Sequence, residues 1–225
     1  MTLTKEQAFL EHILENVRPY DAAHDSIATA SAKVVAAGDA FGNETWLMAV
    51  GDVKGGLIDE LITKKQPKVM IELGCYCGYS AVRFGALVAQ NPDAHYYSFE
   101  VNEEFADIAR QVIQRAGLES RVTIIIGSFS EAFSQLRTQY NVSTVDMVFI
   151  DHHKLMYLPD FKIMQQNSLL ASGTVVVADN VIKPGAPDYL EYVLADPSLD
   201  SELIMTEYEY SNGLVEDGIA VSRVL

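Results

Sequence analysis

Between residues 68 and 178 the chain alternates short apolar runs with amphipathic stretches, a pattern that leaves few folds open. The runs at 69–73, 96–101, 122–126, 145–150 and 174–178 are almost continuously apolar and rich in Val and Ile. Strands of that kind are covered on both faces, which requires helices above and below a mostly parallel sheet. One intervening stretch places Phe105, Ile108, Ala109, Val112 and Ile113 on a single stripe and is closed by Gly117. Ser128 and Glu131 have the spacing of a capping box. The tail breaks the alternation: runs at 203–210 and 218–224 flank SNGLVED with no helix between them, so they read as an antiparallel hairpin at a sheet edge. The expected class is α/β, a doubly wound sheet.

Two helices precede this pattern. Thr4 and Gln7 form a capping pair ahead of Phe9, Leu10, Ile13, Leu14 and Val17, which share one face, and Pro19 ends the helix. Asp21 is expected to cap a second helix running towards Val35, with GDAFGN at 38–43 a flexible connection before Trp46. At 225 residues one domain spanning 1–225 is expected, with residues 1–45 as helices covering the site.

Charge narrows the partners. With 16 Lys and Arg against 31 Asp and Glu the net charge is −15, which repels nucleic acid and anionic membrane surfaces and favours a small-molecule partner. A hydrophobic content of 49% argues for a packed chain, yet no run is long enough to span a membrane. The start lacks a basic segment and an apolar run, so a cytoplasmic location is expected, with a monomer preferred and a dimer allowed. Cys75 and Cys77 are too close to bridge without strain, and reduced thiols fit that location. His12, His24 and His95 are expected at the surface.

In an open parallel sheet, ligands bind at the carboxyl ends of the strands. The first strand leads into Gly74-Cys75-Tyr76-Cys77-Gly78-Tyr79-Ser80, where glycines allow backbone to approach a nucleotide-like ligand or simply serve a tight turn. The second ends at Glu100, placed to accept hydrogen bonds from a ribose diol. Because G-x-x-x-G lacks the third glycine of the pyrophosphate-binding turn, an adenosyl ligand without a diphosphate, S-adenosylmethionine, is favoured over a nicotinamide cofactor. The fourth strand delivers Asp151, His152, His153 and Lys154, and the fifth Asp179 and Asn180. Two carboxylates and an amide oxygen suit Mg²⁺ or a similar ion. Asp151 can equally pair with Lys154, Asp179 cap a helix and Asn180 hold a turn. C-x-C with two histidines is not a usual structural zinc spacing, and neither a P-loop nor a G-x-S-x-G elbow is present.

The segments GDVKGGLIDELI, IELGCYCGYSAVR, FEVNEEF, VDMVFIDHHKLMYLPD, VVVADNVIKPGAPDYLEYV and YEY resemble the catechol O-methyltransferase family, in order and over nearly all the chain from Trp46 onward. The resemblance implies a Rossmann-like seven-stranded sheet, methyl transfer from S-adenosylmethionine to a small aromatic diol, and Mg²⁺. It implies cofactor contacts at Met48, Val50, Glu72, Gly74, Tyr76, Tyr79, Ser80, Glu100, Val101, Ser128, Phe129, Asp151 and His152, and metal ligation by Asp151, Asp179 and Asn180. Lys154 matches the family's general base and Glu209 the acid holding the second hydroxyl, while Trp46, Pro184, His153 and Asn180 face the substrate. His153 stands where the mammalian enzymes typically have a tryptophan, and Phe129-Ser130 replaces a Ser-Gln pair near the adenine. The two cysteines then adjoin the cofactor, where thiol oxidation would block binding. Rival readings are a cation-dependent methyltransferase for larger phenolics such as caffeoyl esters, a nicotinamide-dependent oxidoreductase, and a non-catalytic cofactor-binding protein.

Overall fold

The computed structural model describes residues 3–225, so the first two residues of the expected 1–225 domain lie outside it. The central sheet has seven strands in the order β3-β2-β1-β4-β5-β7-β6. They are β1 Val69–Leu73, β2 His95–Glu100, β3 Val122–Ile126, β4 Val145–Ile150, β5 Leu170–Ala178, β6 Leu199–Glu207 and β7 Glu216–Val224. The first five run parallel, and β7, inserted between β5 and the edge strand β6, pairs antiparallel with both. The expected hairpin is present, but its first strand starts at Leu199 and stops at Glu207, leaving Glu209 in the connection.

Alternation along each strand assigns the two apolar layers. Met70, Tyr96, Met147 and Phe149 pack with the helices α1 Lys5–Asn16, α2 Ile27–Glu44, α3 Gly51–Lys65, α4 Tyr79–Val88 and α5 Glu103–Arg115. Ile71, Tyr97, Val148 and Ile150 face the other way, onto α6 Phe129–Ala132, α7 Ser134–Thr138, α8 Tyr157–Gln166 and α9 Pro187–Ala195. No helix of the described residues is long and apolar enough to cross a membrane.

The capping box of α1 forms as expected, and Asn102 caps α5 by accepting from Glu104 N at 2.9 Å and Phe105 N at 3.3 Å. Two expectations fail nearby. Asp21 does not cap α2: its carboxylate turns back to Ala23 N and His24, and the cap is Ser26, which accepts from Thr29 N at 3.1 Å. GDAFGN is not a flexible connection but the last helical stretch of α2. Packing decides this, because a Cβ at Gly38 would lie 2.8 Å from Tyr79 and one at Gly42 2.2 Å from Tyr210. Close approach of these rings outweighs the roughly 1 kcal/mol that each helical glycine costs. Ser128 precedes α6, yet its hydroxyl binds the Glu131 carboxylate at 2.5 Å instead of a backbone amide. His95 is half-buried, bonded to Thr123 Oγ1 at 2.8 Å and packed on Tyr97.

Candidate active site

The strand order reverses beside β1, whose neighbours are β2 and β4, and above that point lies a cavity of about 540 Å³. Every residue expected at the site lines it except Glu72 and Asp179. The turn after β1 contributes Gly74 and Tyr76, the start of α4 Tyr79 and Ser80, β2 Glu100 with Val101 beyond it, and the segment opening α6 Ser128 and Phe129. Asp151, His152, His153 and Lys154 follow β4, Asn180 and Pro184 follow β5, and Trp46, Met48, Val50 and Glu209 close the far side.

Both glycines of the turn answer to the protein's own packing. Gly74 has φ +100°, and a Cβ there would lie 2.4 Å from the Asp151 carbonyl oxygen. Gly78 has φ +87° and opens α4, where a Cβ would lie 3.0 Å from Ala109 on α5. Glycine therefore lets the ends of β1 and β4 converge, which brings the turn and Asp151 to one rim. Glu100 accepts from Tyr76 N at 2.7 Å and from Asn102 N at 2.9 Å, fixing an acid on the cavity wall. α1 and α2 reach the same turn through Tyr76 OH to Glu6 at 2.5 Å and Tyr79 OH to Asp39 at 2.6 Å.

Glu72 is buried beneath the turn, accepts from the Ser98 hydroxyl and does not itself line the cavity. Burial pushes its carboxyl up to about 7, with the Ser80 and Ser98 hydroxyls opposing and Asp151 adding to the rise. Cys75 and Cys77 are unpaired and buried. Burial also pushes both thiols up, which suppresses the thiolate that oxidation needs, contrary to the expected sensitivity.

At the opposite end the charges concentrate. Lys154 Nζ donates to Asp151 Oδ1 at 3.0 Å, to Asn180 Oδ1 at 3.2 Å and to the Tyr157 hydroxyl, which itself donates to the Asp179 carbonyl at 2.9 Å. Behind it, Lys54 Nζ is fully buried at 2.9 Å from Asp179 Oδ1, 2.8 Å from Glu209 Oε2 and 3.0 Å from Asp217 Oδ2. Burial works against the Lys54 charge, but Asp179 and Glu209 prevail and hold its pKa above the usual lysine value. Asn180 adopts φ +53° and donates from Nδ2 to Asp217 Oδ2 at 2.7 Å and Glu209 Oε2 at 3.2 Å, leaving Oδ1 towards Lys154. His152 Nε2 pairs with Asp160 Oδ2 at 2.9 Å while its ring stacks on Tyr157.

Asp151, Asp179 and Asn180 suit a divalent cation. Among the described residues no group of three or more His, Cys, Asp or Glu side chains is arranged to hold a metal ion; the third donor here is the Asn180 amide oxygen. The Asp151 and Asn180 oxygens already share one cation, the Lys154 ammonium, and Asp179 Oδ2 is buried without a partner. Four carboxylates, Asp151, Asp179, Glu209 and Asp217, face only two ammonium groups. Excess negative charge and hard oxygen donors match such an ion.

Lys54, Asp217, Tyr157 and Asp160 are absent from the expected site. Lys54 had a signal: with Ile58 and Ile62 it occupies the buried face of α3 at four-residue spacing, and a lysine on an apolar stripe demands a counter-charge.

This arrangement defines an α/β enzyme site for an adenosyl cofactor joined to an acid-rich pocket. The O-methyltransferase family model matches residues 38–192. Catechol O-methyltransferase of Bos taurus is 40% identical over 220 residues, covering 97% of this chain and 76% of that protein. Catechol O-methyltransferase B of Danio rerio is 43% identical over 180 residues, covering 80% and 67%. Among solved structures, an O-methyltransferase from Bacillus cereus superposes with a TM-score of 0.69 at 22% identity, covering 97% of each chain. One from Streptomyces achromogenes also gives 0.69, at 20% identity and 99% coverage of each. The chain belongs to the O-methyltransferase family and is an S-adenosylmethionine-dependent methyltransferase. That membership sets aside the oxidoreductase and the non-catalytic reading.

Proposed function

We propose that the chain methylates one hydroxyl of a catechol-type diol, taking the methyl group from S-adenosylmethionine, with Lys154 as general base and Mg²⁺ or a similar ion held by Asp151, Asp179 and Asn180. The observation that carries this reading is one cavity running from the Gly74 turn and Glu100 to Lys154 and Glu209. The Bacillus cereus protein was solved with S-adenosylhomocysteine and the Streptomyces achromogenes protein with S-adenosylmethionine, which supports the cofactor assignment. The relatives from Bos taurus and Danio rerio support the diol.

A bound divalent cation lowers the pKa of a hydroxyl beside it. Lys154 Nζ, on the cavity wall 3.0 Å from Asp151 Oδ1, is placed to take the proton of the reacting hydroxyl. Glu209 accepts from the other hydroxyl and so sets which oxygen faces the methyl group. The deprotonated oxygen attacks the methyl carbon as the carbon–sulfur bond breaks, leaving a neutral thioether, and the proton remains on Nζ until solvent removes it. Trp46, parallel to Tyr208 with ring centroids 6.4 Å apart, and Pro184 supply apolar walls for the aromatic ring. Positioning accounts for much of the acceleration.

The test is mass spectrometry of products from small catechols and thioester-linked phenolics, with and without EDTA. Monomethylated catechols that vanish with EDTA and return with Mg²⁺ are expected. Methylation indifferent to EDTA refutes the metal assignment, and preference for the thioesters refutes the substrate class.

A further inference from the structure

We infer that Lys54 is a positioning residue that reserves one oxygen of Asp179 for the cation and one oxygen of Glu209 for the substrate diol; the inference rests on the function proposed above. Its ammonium contacts Asp179 through Oδ1 and Glu209 through Oε2. Asp179 Oδ2 is left buried and unpartnered, a costly state unless a ligand completes it. On Glu209, both Lys54 and Asn180 Nδ2 address Oε2, at 2.8 and 3.2 Å, and Glu209 lines the cavity. The ammonium therefore occupies one oxygen of each carboxylate, joined on Asp179 Oδ1 by the Asn180 N–H at 2.7 Å, and leaves the second oxygen of each without it.

The third carboxylate, Asp217, anchors the arrangement. Its Oδ2 binds Lys54 at 3.0 Å and Asn180 Nδ2 at 2.7 Å, and its Oδ1 accepts from Lys183 N at 2.8 Å. Asn180 is thereby held by its amide nitrogen with Oδ1 directed to the cation side. Lys54 on α3, Asp217 on β7 and the loop after β5 are locked together around a buried centre. An ammonium is suited to the task because three N–H donors can serve three carboxylates at once.

The variants are Lys54→Met and the double variant Lys54→Met/Asp217→Asn, which removes one cation and one anion and so keeps the cluster's net charge. Three quantities are read: affinity for S-adenosylhomocysteine by calorimetry, catechol KM against kcat, and the visible absorption of Co²⁺ bound in place of Mg²⁺. Lys54 lies outside the cofactor end, so S-adenosylhomocysteine affinity is expected within about twofold of the parent in the double variant. KM is expected to rise at least tenfold, and the Co²⁺ spectrum to change as Asp179 binds differently. A variant with parental KM and spectrum that merely melts earlier overturns the inference, leaving Lys54 a structural ion pair. If Lys54→Met alone loses S-adenosylhomocysteine binding, the double variant decides by the same two outcomes. A parent chain that fails to methylate catechols overturns the proposed function instead, so the two failures are told apart.

Discussion

The Glu100 carboxylate accepts the backbone N–H of Tyr76 at 2.7 Å, so the acid ending β2 and the glycine turn ending β1 form one rigid unit. A ribose diol held at Glu100, as proposed, would lie at a fixed distance from the turn. Glu100→Ala removes both a charged acceptor for the diol and the strut of the loop. Hydrogen bonds to charged groups are worth about 1.5–3 kcal/mol, and S-adenosylmethionine affinity is expected to fall by roughly 10- to 100-fold. Titration calorimetry measures it; parental affinity would remove Glu100 from the cofactor site.

Lys154 lies at the other end of the cavity, in contact with Asp151 and Asn180. Loss of a general base lowers turnover by about 10²–10⁴-fold. Lys154→Ala is expected to show that loss in kcat with nearly unchanged cofactor affinity. Equal losses in both would sink the base assignment.

His153 is exposed on the cavity rim near the substrate walls, where a larger ring would restrict how a catechol's side group leans. His153→Trp is expected to change the ratio of the two monomethyl products, read by chromatography. An unchanged ratio removes His153 from the control of regiochemistry.

Glu72 predicts a pH effect on stability. Its carboxyl is pushed from 4.5 to about 7 by burial, so the folded state binds a proton that the unfolded state has lost between those values. Stability from this group is complete below about pH 4.5 and is lost as pH rises through 7, by on the order of 3 kcal/mol. Glu72→Gln cannot ionise. Thermal melts from pH 5 to 8 should therefore show the parent losing stability relative to the variant; parallel curves would contradict the raised value.

Much of the fold was legible because burial writes itself locally. Val145–Ile150 and Val122–Ile126 are bounded as their apolar runs predict, since a strand covered on both faces must be apolar throughout. The strand-end acids were legible too, because the sheet places every such end on one rim. The helical state of GDAFGN is not legible locally because its glycines answer to Tyr79 and Tyr210, rings contributed by other parts of the chain.

By itself the sequence determined the alternation of elements, the parallel sheet with its hairpin, and the set of polar residues at the carboxyl ends. Tertiary structure alone decided how those residues divide their atoms. Lys54 and Glu209 are 155 residues apart, and local periodicity cannot register which carboxylate oxygen an ammonium takes. Gly74 illustrates the same division: its place in a turn is evident from sequence, whereas its need for no side chain comes from the Asp151 carbonyl 2.4 Å from where a Cβ would stand. Charge pairing and close backbone approach act through space between distant segments, so they become definite only when the sheet brings those segments together.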